Sequence, residues 1–170
     1  MRNDTIYFAK VDQTKETIMP TKRDEDAGFD IYANFEEDYM IIEPHKTVKI
    51  PTNLAIAFSN DYVLILKERG STGTIGLGQR SGVGDSGYRG EYFVPITNHN
   101  NVPLVISKLD ECSLYEKVPF EDYIVYPYTK AICQGVLLPV PKVKSKEISY
   151  EDLLKFESER GMGKLGSSNK

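Results

Sequence analysis

This sequence predicts an all-β fold, either a sandwich or a barrel. Short runs rich in β-branched and aromatic residues recur along most of the chain, and Gly, Pro, Asn or Asp occupy many of the gaps between them. Many short strands separated by turn residues are typical of both architectures. A segment near the C-terminus has a helical pattern instead, so we expect one short helix on the β scaffold.

In chain order, the predicted strands cover residues 6–8, 39–42, 48–58, 62–66, 92–96, 102–106 and 131–140. The predicted helix covers residues 149–160. Ser149 is suited to cap its first turn, with Asp152 as the reciprocal partner. The apolar residues between Leu153 and Phe156 give this helix an apolar side.

Length, cysteine count and charge narrow the class of protein. The 170 residues can bury a full core without disulfides or a structural metal, and we predict one domain over residues 1–160 followed by an arm at 161–170. Two cysteines, Cys112 and Cys133, fit neither a ligand spacing nor a disulfide framework, which favours a reducing cytoplasm. A net charge of −4 argues against general nucleic-acid binding. The sequence also lacks an apolar run of membrane-spanning length and a signal peptide's apolar core.

The most informative segment is the glycine-rich stretch 82–91, which lies between two predicted strands. Its glycines let the backbone turn tightly and present bare N–H and C=O groups to a flat polar ring. Asp85 and Tyr88 stand within it. An aromatic side chain can cover what lies below such a ring, and a carboxylate can hold a water as a general base. The segment is therefore either a nucleotide site or an ordinary hairpin with a surface aspartate.

The chain resembles the trimeric dUTPase family in five sequence blocks that follow the family order. The third block of that family, G-(V/L)-(I/V)-D-x-x-Y-x-G, is matched at Gly82, Val83, Asp85, Tyr88 and Gly90. The other four blocks resemble residues 26–33, 68–73, 130–134 and 160–168. Five blocks in order, at suitable spacing, make the resemblance specific.

This resemblance implies a jelly-roll-like β fold, assembled as a homotrimer with sites between subunits. It also implies Mg²⁺-dependent hydrolysis of dUTP to dUMP and pyrophosphate. Asp85 would accept a proton from the water that attacks the α-phosphorus. Asp30 matches the position that orients waters on Mg²⁺, which keeps several waters and binds mainly through phosphates.

The resemblance also assigns contacts to the base, the sugar and the phosphates. Main-chain groups of Gly82, Val83 and Gly84 would read uracil, and Tyr88 would lie against the deoxyribose, where a ribose 2′-hydroxyl would clash. The implied phosphate contacts come from the second, fourth and fifth blocks: Arg69, Gly70, Ser71, Thr72, Gln134 and Arg160.

Several positions depart from the family pattern. The second block shifts its hydroxyl by one place, so the choice between Ser71 and Thr72 as the phosphate contact stays open. Gln79 stands where many members have an asparagine near the base. The fourth block lacks Gly-Asp before its basic residue but keeps Gln134, whose amide can bind phosphate or metal-bound water.

The glycine- and serine-rich tail 161–170 has too little apolar surface to fold alone. In this family such a tail is an arm that closes over bound nucleotide, and the resemblance places Leu165, Gly166 and Ser167 in it. Leu165 replaces the phenylalanine that stacks over uracil, which costs on the order of 1 kcal/mol of aromatic interaction. A frayed end is the alternative.

The segment 109–123 resembles an insertion, because the family usually joins its third and fourth blocks by a shorter connection. It carries five acidic residues against a single lysine, Lys117. It is either a solvated loop or short helix, or an element that binds a protein partner.

Two other functions stay open. A related β fold deaminates dCTP, and Glu68 and Glu91 are the acids nearest to the glycine-rich stretch that could serve this reaction. A regulatory protein could instead use the dUTPase scaffold to hold another protein through residues 109–123, with or without catalysis.

Overall fold

A computed structural model describes residues 4–163 of the chain. Its first six strands are β1 Tyr7–Lys10, β2 Phe29–Ile31, β3 Tyr39–Ile42, β4 Thr47–Ile50, β5 Leu54–Ala57 and β6 Tyr62–Lys67. The next six are β7 Leu77–Gln79, β8 Val83–Gly84, β9 Val94–Asn98, β10 Leu104–Ser107, β11 Ile124–Pro127 and β12 Cys133–Pro139. Three short helices accompany them: α1 Gly70–Thr74, α2 Glu111–Tyr115 and α3 Tyr150–Leu153.

The strands form four small open sheets, ordered β1-β5, β11-β10-β3, β2-β12-β6-β8 and β4-β9-β7. The pair β10–β11 is parallel, and the other pairs of these sheets are antiparallel. This arrangement confirms the predicted all-β, jelly-roll-like class. The architecture is a set of packed sheets and not a closed barrel.

One apolar core joins the four sheets. Alternate residues of β5 and β9 point inward, as the two-residue period of a strand requires. Each sheet contributes fully or almost fully buried side chains to this core, among them Ile31, Ile42, Ile50, Leu54, Leu64, Leu77, Ile96 and Leu104. The loops that connect the strands are therefore attached to a well-packed scaffold.

The long strand predicted over residues 48–58 is wrong, because the structure divides it into β4 and β5. Pro51 has no N–H to give to a ladder, and Asn53 adopts a left-handed φ of 55° that an extended strand cannot contain. Strands β2, β7, β8 and β11 were not predicted. β7 and β8 are three and two residues long and contain glycine, so their pairing partners decide their conformation.

The stretch 82–91 is not a simple hairpin between its two flanking strands. β6 pairs with β8, whereas β9 pairs with β4 and β7 in another sheet. The chain turns between Asp85 and Tyr88, where the Tyr88 N–H donates to the Asp85 carbonyl at 3.1 Å. The turn therefore carries the chain from one sheet to the next, which sequence periodicity alone does not reveal.

The segment 109–123 belongs to the same compact unit as the β-strands. Asp110 caps α2 by accepting a hydrogen bond from the Ser113 N–H at 2.9 Å. Leu114 and Val118 are buried and form a second apolar cluster with Val105 of β10. The acidic segment thus contains a short helix, anchored by apolar side chains on the sheet β11-β10-β3.

The chain divides into two compact units between Val140 and Pro141. This division falls earlier in the chain than residue 161, where the predicted arm begins. The arm itself stays a prediction. In the second unit, Ser149 caps α3 by accepting from the Asp152 N–H, as predicted, but the helix ends at Leu153. The predicted extension to residue 160 is wrong. Leu154 and Phe156 are exposed, and a short helix gains little stability without packing of its apolar side.

No helix within residues 4–163 is both long enough and apolar enough to cross a membrane.

Candidate active site

A cavity of about 320 Å³ opens beside the turn between β8 and β9. It is lined by five residues that the sequence analysis assigned to the site: Gly82, Val83, Gly84, Asp85 and Tyr88. Five further residues complete its wall and were not assigned to it: Leu66, Ser81, Glu91, Tyr92 and Phe93. Of these five, the sequence singled out only Glu91, as a candidate acid for dCTP deamination, and the tertiary structure supplies the other four.

Close packing explains why glycine occupies two positions of this turn. A Cβ at Gly84 would lie 3.0 Å from the Leu64 carbonyl oxygen and 3.1 Å from the Tyr92 ring. A Cβ at Gly90 would lie 2.4 Å from the Tyr88 hydroxyl. A side chain at Gly84 would press on the Leu64 main chain, and one at Gly90 would displace the Tyr88 ring, so both glycines serve close approach.

Tyr88 has a defined orientation although its side chain is 48% exposed. Its ring meets the Tyr92 ring edge to face, with centroids 5.3 Å apart, and its hydroxyl donates to the Glu91 carbonyl at 3.1 Å. Burial and the nearby carboxylate of Asp85 raise the pKa of the Tyr92 phenol, which keeps it a hydrogen-bond donor. The Tyr92 hydroxyl approaches the Asp85 carbonyl at 3.5 Å.

Asp85 is exposed at the mouth of this cavity, next to the ring of Tyr88. A carboxylate in this position can hold a water molecule and accept a proton from it. Residues 82–84 line the same cavity, and main-chain N–H and C=O groups not used in pairing with β6 can bind the edge of a polar ring. One small volume therefore combines a potential base, an aromatic surface and main-chain hydrogen-bonding groups.

A second cavity, of about 300 Å³, has a strongly polar wall. Five residues of the predicted phosphate and metal set line it together: Asp30, Arg69, Gly70, Ser71 and Gln134. They come from β2, from α1 and the residue before it, and from β12, so they are far apart in the sequence. Arg23, Asp26, Ala27 and Gly28 complete the wall.

Arg69 and Asp30 form a bidentate ion pair in this polar cavity. The Arg69 Nε atom lies 2.9 Å from Asp30 Oδ1, and one terminal nitrogen of Arg69 donates to Oδ2 at 3.0 Å. Both side chains are 30% exposed. Gln134 lies opposite Asp30 in the β2–β12 pair, and its amide nitrogen donates to the Glu68 carbonyl at 2.9 Å. The guanidinium keeps solvent-facing donors, but its orientation is set by the carboxylate.

The structure distinguishes the two hydroxyls of the second block. Thr72 is only 1% exposed, and its hydroxyl donates to the Arg69 carbonyl and accepts from the Arg69 N–H, both at 2.9 Å. Ser71 is exposed and lines the polar cavity. The Thr72 hydroxyl therefore closes the first turn of α1, whereas Ser71 offers the accessible hydroxyl. Which of the two contacts phosphate stays a prediction.

Gln79 is placed behind the site and not in it. It is 8% exposed and lines neither cavity. In the orientation that satisfies its amide, the nitrogen donates to the Leu66 carbonyl at 3.1 Å and the oxygen accepts from the Ser81 N–H at 2.7 Å. Gln79 is thus hydrogen-bonded to Ser81, which does line the cavity. Its role near the base stays a prediction.

The predicted arm residues are only partly described. Arg160 belongs to the second unit, where its Nε donates to the Gly163 carbonyl at 3.1 Å. Leu165, Gly166 and Ser167 lie outside the described residues. Their predicted contacts with nucleotide remain predictions.

Both acids considered for dCTP deamination have structural partners. A Glu68 carboxylate oxygen accepts from the Gln79 N–H at 3.2 Å, and main-chain hydrogen bonds, first that of its own N–H, hold the pKa of Glu68 below its usual value. One oxygen of Glu91 accepts two main-chain N–H groups. Within residues 4–163, no cluster of three or more His, Cys, Asp or Glu side chains could hold a metal by itself. Both carboxylates are therefore engaged by main-chain N–H groups.

The two cavities lie at opposite edges of the sheet β2-β12-β6-β8. Asp30 is in β2 at one edge, whereas Asp85 directly follows β8 at the other. Three strand spacings separate these edges, or about 14 Å across the sheet. The register adds a three-residue offset between Lys67 and Leu64, or about 10 Å along the strands. In one chain, the potential base and the Arg69–Asp30 pair are therefore well separated.

Comparison with known proteins places this geometry in a family. Residues 14–113 match the sequence profile of the dUTPase family. A deoxyuridine 5′-triphosphate nucleotidohydrolase of Gloeobacter violaceus is 31% identical over 151 residues, which cover 84% of this chain and 82% of that protein.

Solved structures share the fold. The dUTPase of Staphylococcus bacteriophage 80alpha, solved with dUPNHPP, has a TM-score of 0.71 at 22% identity and covers 98% of this chain and 99% of that chain. A mutant dUTPase of phage phi11 of S. aureus, whose structure describes the coordination of a structural Mg(II) ion, has a TM-score of 0.65 at 19% identity and covers 87% and 99%. With a family profile over more than half of its length and a relative 31% identical over 84% of it, this chain belongs to the dUTPase family.

Proposed function

We propose that this protein hydrolyses dUTP to dUMP and pyrophosphate by attack of water on the α-phosphorus. The observation that carries the proposal is the turn cavity, where Asp85, Tyr88 and the main chain of residues 82–84 converge in a chain of the dUTPase family. A general base, an aromatic surface and a main-chain reading edge are the parts that this reaction requires.

The residues of the turn have distinct roles in this proposal. Asp85 holds the attacking water and accepts its proton as the bond to the α-phosphorus forms and the bond to the leaving pyrophosphate breaks. Main-chain groups of Gly82 and Gly84 pair with uracil, so the amino group of cytosine would leave polar atoms unpaired. Tyr88 packs below the deoxyribose, where its fixed ring leaves no space for a 2′-hydroxyl.

The polar cavity is suited to bind the phosphates. Arg69 offers a guanidinium for phosphate oxygens, the Ser71 hydroxyl is exposed, and Gln134 can donate or accept. Asp30 binds the Arg69 guanidinium through both of its carboxylate oxygens. Arg69 is therefore oriented before phosphate binds, and it loses little side-chain entropy on binding.

The donor set fits a Mg²⁺ ion that enters with the triphosphate. Asp30 is a partly exposed carboxylate in the polar cavity, and each of its oxygens keeps a lone pair beyond its contact with Arg69. Mg²⁺ prefers such oxygen donors, retains several waters and binds largely through phosphates. Asp30 would hold it through water, with Gln134 nearby. When bound, the ion neutralises the triphosphate and stabilises the leaving pyrophosphate.

The separation of the two cavities supports a site shared between copies of the chain. Asp85 and Asp30 lie at opposite edges of one sheet, three strand spacings or about 14 Å apart. A site that takes its base from one copy and its phosphate contacts from another would bring these groups together. We therefore propose a homotrimer in which the turn of one copy faces the polar cavity of another.

A pyrophosphate-release assay tests the proposal. Purified protein with Mg²⁺ is given dUTP, dCTP, dTTP or UTP, and Asp85→Asn serves as the inactive control. We expect release of pyrophosphate from dUTP, much weaker release from the other three, and loss of the activity with EDTA. Ammonia release from dCTP would instead identify a deaminase, and no turnover of any nucleotide would refute the enzymatic function.

A second candidate function is protein binding through the segment 109–123. Its fold is anchored by Leu114 and Val118, yet Tyr115 is 72% exposed between Glu111 and Glu116. An exposed tyrosine on a rigid acidic surface is suited to a basic partner surface. Tyr115→Ala with Glu116→Lys would abolish capture of such a partner and leave dUTP hydrolysis unchanged. Equal capture by the variant and the parent protein would refute this role.

A further inference from the structure

The corner between β4 and β5 is an unusually well-fixed part of the molecule. Thr52 and Asn53 are almost fully buried there, and Asn53 has the left-handed φ of 55°. The Asn53 side chain accepts from the Asp12 N–H at 2.8 Å and donates to the Asp12 carbonyl at 2.9 Å. Asparagine tolerates this conformation better than most residues, and the reciprocal bonds to Asp12 hold it.

Glu91 binds this corner through its carboxylate. One oxygen, Oε1, accepts from the Thr52 N–H at 3.1 Å and from the Asn53 N–H at 2.8 Å. The next residue is fixed to the same corner, because the Thr52 hydroxyl donates to the Tyr92 carbonyl and the Tyr92 N–H donates to the Leu54 carbonyl. Residues 91 and 92 are thus docked on the corner by four hydrogen bonds.

Glu91 and Tyr92 also contact the turn that carries Asp85 and Tyr88. The Glu91 carbonyl accepts from the Tyr88 hydroxyl at 3.1 Å, and the Tyr92 ring meets the Tyr88 ring with centroids 5.3 Å apart. The Tyr92 hydroxyl approaches the Asp85 carbonyl. Glu91 itself lines the turn cavity. A continuous set of contacts therefore leads from the β4–β5 corner, through Glu91 and Tyr92, to Asp85 and Tyr88.

We propose that Glu91 is a positioning residue, whose carboxylate fixes the turn 85–90 to the β4–β5 corner and so orients Asp85 and Tyr88 for the reaction. This inference rests on the proposed function for its kinetic consequence, but the anchoring itself does not. A carboxylate is suited to the task because a charged acceptor binds two amides more strongly than a neutral one. Without it, two buried N–H groups lose their partner, which favours local opening.

Hydrogen exchange tests the anchoring without reference to activity. Glu91→Ala is compared with Glu91→Gln, which keeps an acceptor oxygen of the same reach, and with Glu43→Ala, which removes an exposed carboxylate just after β3. In Glu91→Ala we expect exchange to speed up by about tenfold at the Thr52 and Asn53 amides, which lose their acceptor. Exchange in the peptide 82–92 should speed up as well, because this stretch loses its attachment to the β4–β5 corner. Glu91→Gln should remain near the parent rate, and unchanged exchange in Glu91→Ala would overturn the anchoring.

Kinetics tests the positioning. With dUTP, Glu91→Ala should lower kcat by at least about tenfold, since a small misplacement of a catalytic group is costly. Its preference for dUTP over UTP should fall too, because Tyr88 shares the anchor. Glu91→Gln should restore most of both. A lower melting temperature with unchanged kcat and unchanged dUTP preference would reduce Glu91 to a structural residue. If the parent protein fails to hydrolyse dUTP, the proposed function is wrong, and the exchange experiment still decides the anchoring.

Discussion

The catalytic turn and the polar cavity are built in opposite ways. The turn takes its functional groups from one contiguous segment, 82–91. Its shape relies on hydrogen bonds at the β4–β5 corner, on the pairing of β8 with β6 and on the Tyr92 ring. The polar cavity takes its chemistry from three separate segments around Asp30, Arg69 and Gln134, and it is organised by a bidentate ion pair. The geometry of the turn therefore depends on the residues that support it. The geometry of the polar cavity depends on contacts between side chains from distant parts of the sequence.

This difference has consequences for substitutions. In the turn, substitution of Asp85 should affect catalysis directly. Substitution of a supporting residue such as Glu91 should affect the geometry of the turn. In the polar cavity, Arg69 is a proposed phosphate ligand and also the partner of Asp30. A substitution there should therefore change binding and local electrostatics together. Four predictions, in decreasing size of effect, test this distinction.

The largest effect should come from Asp85→Asn. Loss of a general base usually lowers turnover by at least about 10²-fold. Because Asn keeps the shape and Asp85 is exposed, binding of a non-hydrolysable dUTP analogue and the melting temperature should stay near the parent values. Steady-state kinetics and calorimetric titration measure the two quantities, and near-parental turnover would remove Asp85 from the role of base.

Arg69→Lys should have the next largest effect. Lysine keeps the charge but cannot make the planar, two-point contact that Arg69 makes with Asp30. A lost charged hydrogen bond is worth about 1.5–3 kcal/mol, so kcat/KM should fall by roughly 10- to 100-fold, mainly through KM. Lys46→Arg, at an exposed position after β3, is a suitable control. A parental KM would show that orientation by Asp30 is irrelevant to phosphate binding.

Tyr88→Ala should produce a smaller, selective effect in the turn. The variant removes the ring that Tyr92 holds in place and opens space for a 2′-hydroxyl. Discrimination against UTP should drop by roughly tenfold, in line with the 1–3 kcal/mol that a shaped pocket contributes to specificity. The ratio of kcat/KM for dUTP and UTP is the measurement, and an unchanged ratio would contradict the assignment of Tyr88 to the sugar.

The smallest effects should separate Ser71 from Thr72. Ser71→Ala removes an exposed hydroxyl from the polar cavity and should raise KM by only a few-fold, since a neutral hydrogen bond contributes about 1 kcal/mol. Thr72→Val should instead lower the free energy of unfolding by about 1–3 kcal/mol, because the Arg69 N–H is left without its partner. Denaturant titration and kinetics on both variants test these assignments. If Thr72→Val raised KM without loss of stability, the roles of the two residues would be reversed.

A substantial part of the site could be predicted from sequence because it is local. Asp85, Tyr88 and the glycines of the turn lie within one short segment, and the cavity brings them together as the motif implies. The Ser149 cap was predictable for the same reason, since the hydrogen bond to the Asp152 N–H spans a single helical turn. The all-β class followed from the recurrence of short strands, which each strand signals through its own composition.

Other features depended on pairing across the chain. The division of residues 48–58 into two strands, the early end of α3 and the passage of the turn from one sheet to another are set by which strands and side chains find partners. The inward orientation of Thr72 and the place of Gln79 behind Ser81 likewise depend on neighbours that the sequence does not identify. The family resemblance placed Gln79 near the base and left Thr72 as one of two possible phosphate contacts.

The amino-acid sequence by itself determined the chemical content of this protein: an all-β scaffold, a carboxylate and a tyrosine in a glycine-rich turn, and separate blocks rich in phosphate-binding groups. Only the tertiary structure decided how these groups are used, because hydrogen bonds such as Glu91 to Thr52 and Asn53, and ion pairs such as Arg69 with Asp30, join residues 38 or more positions apart. Local sequence dictates turns and caps through short-range sterics, whereas the orientation of a functional side chain is set by whichever distant groups the packed core brings to it.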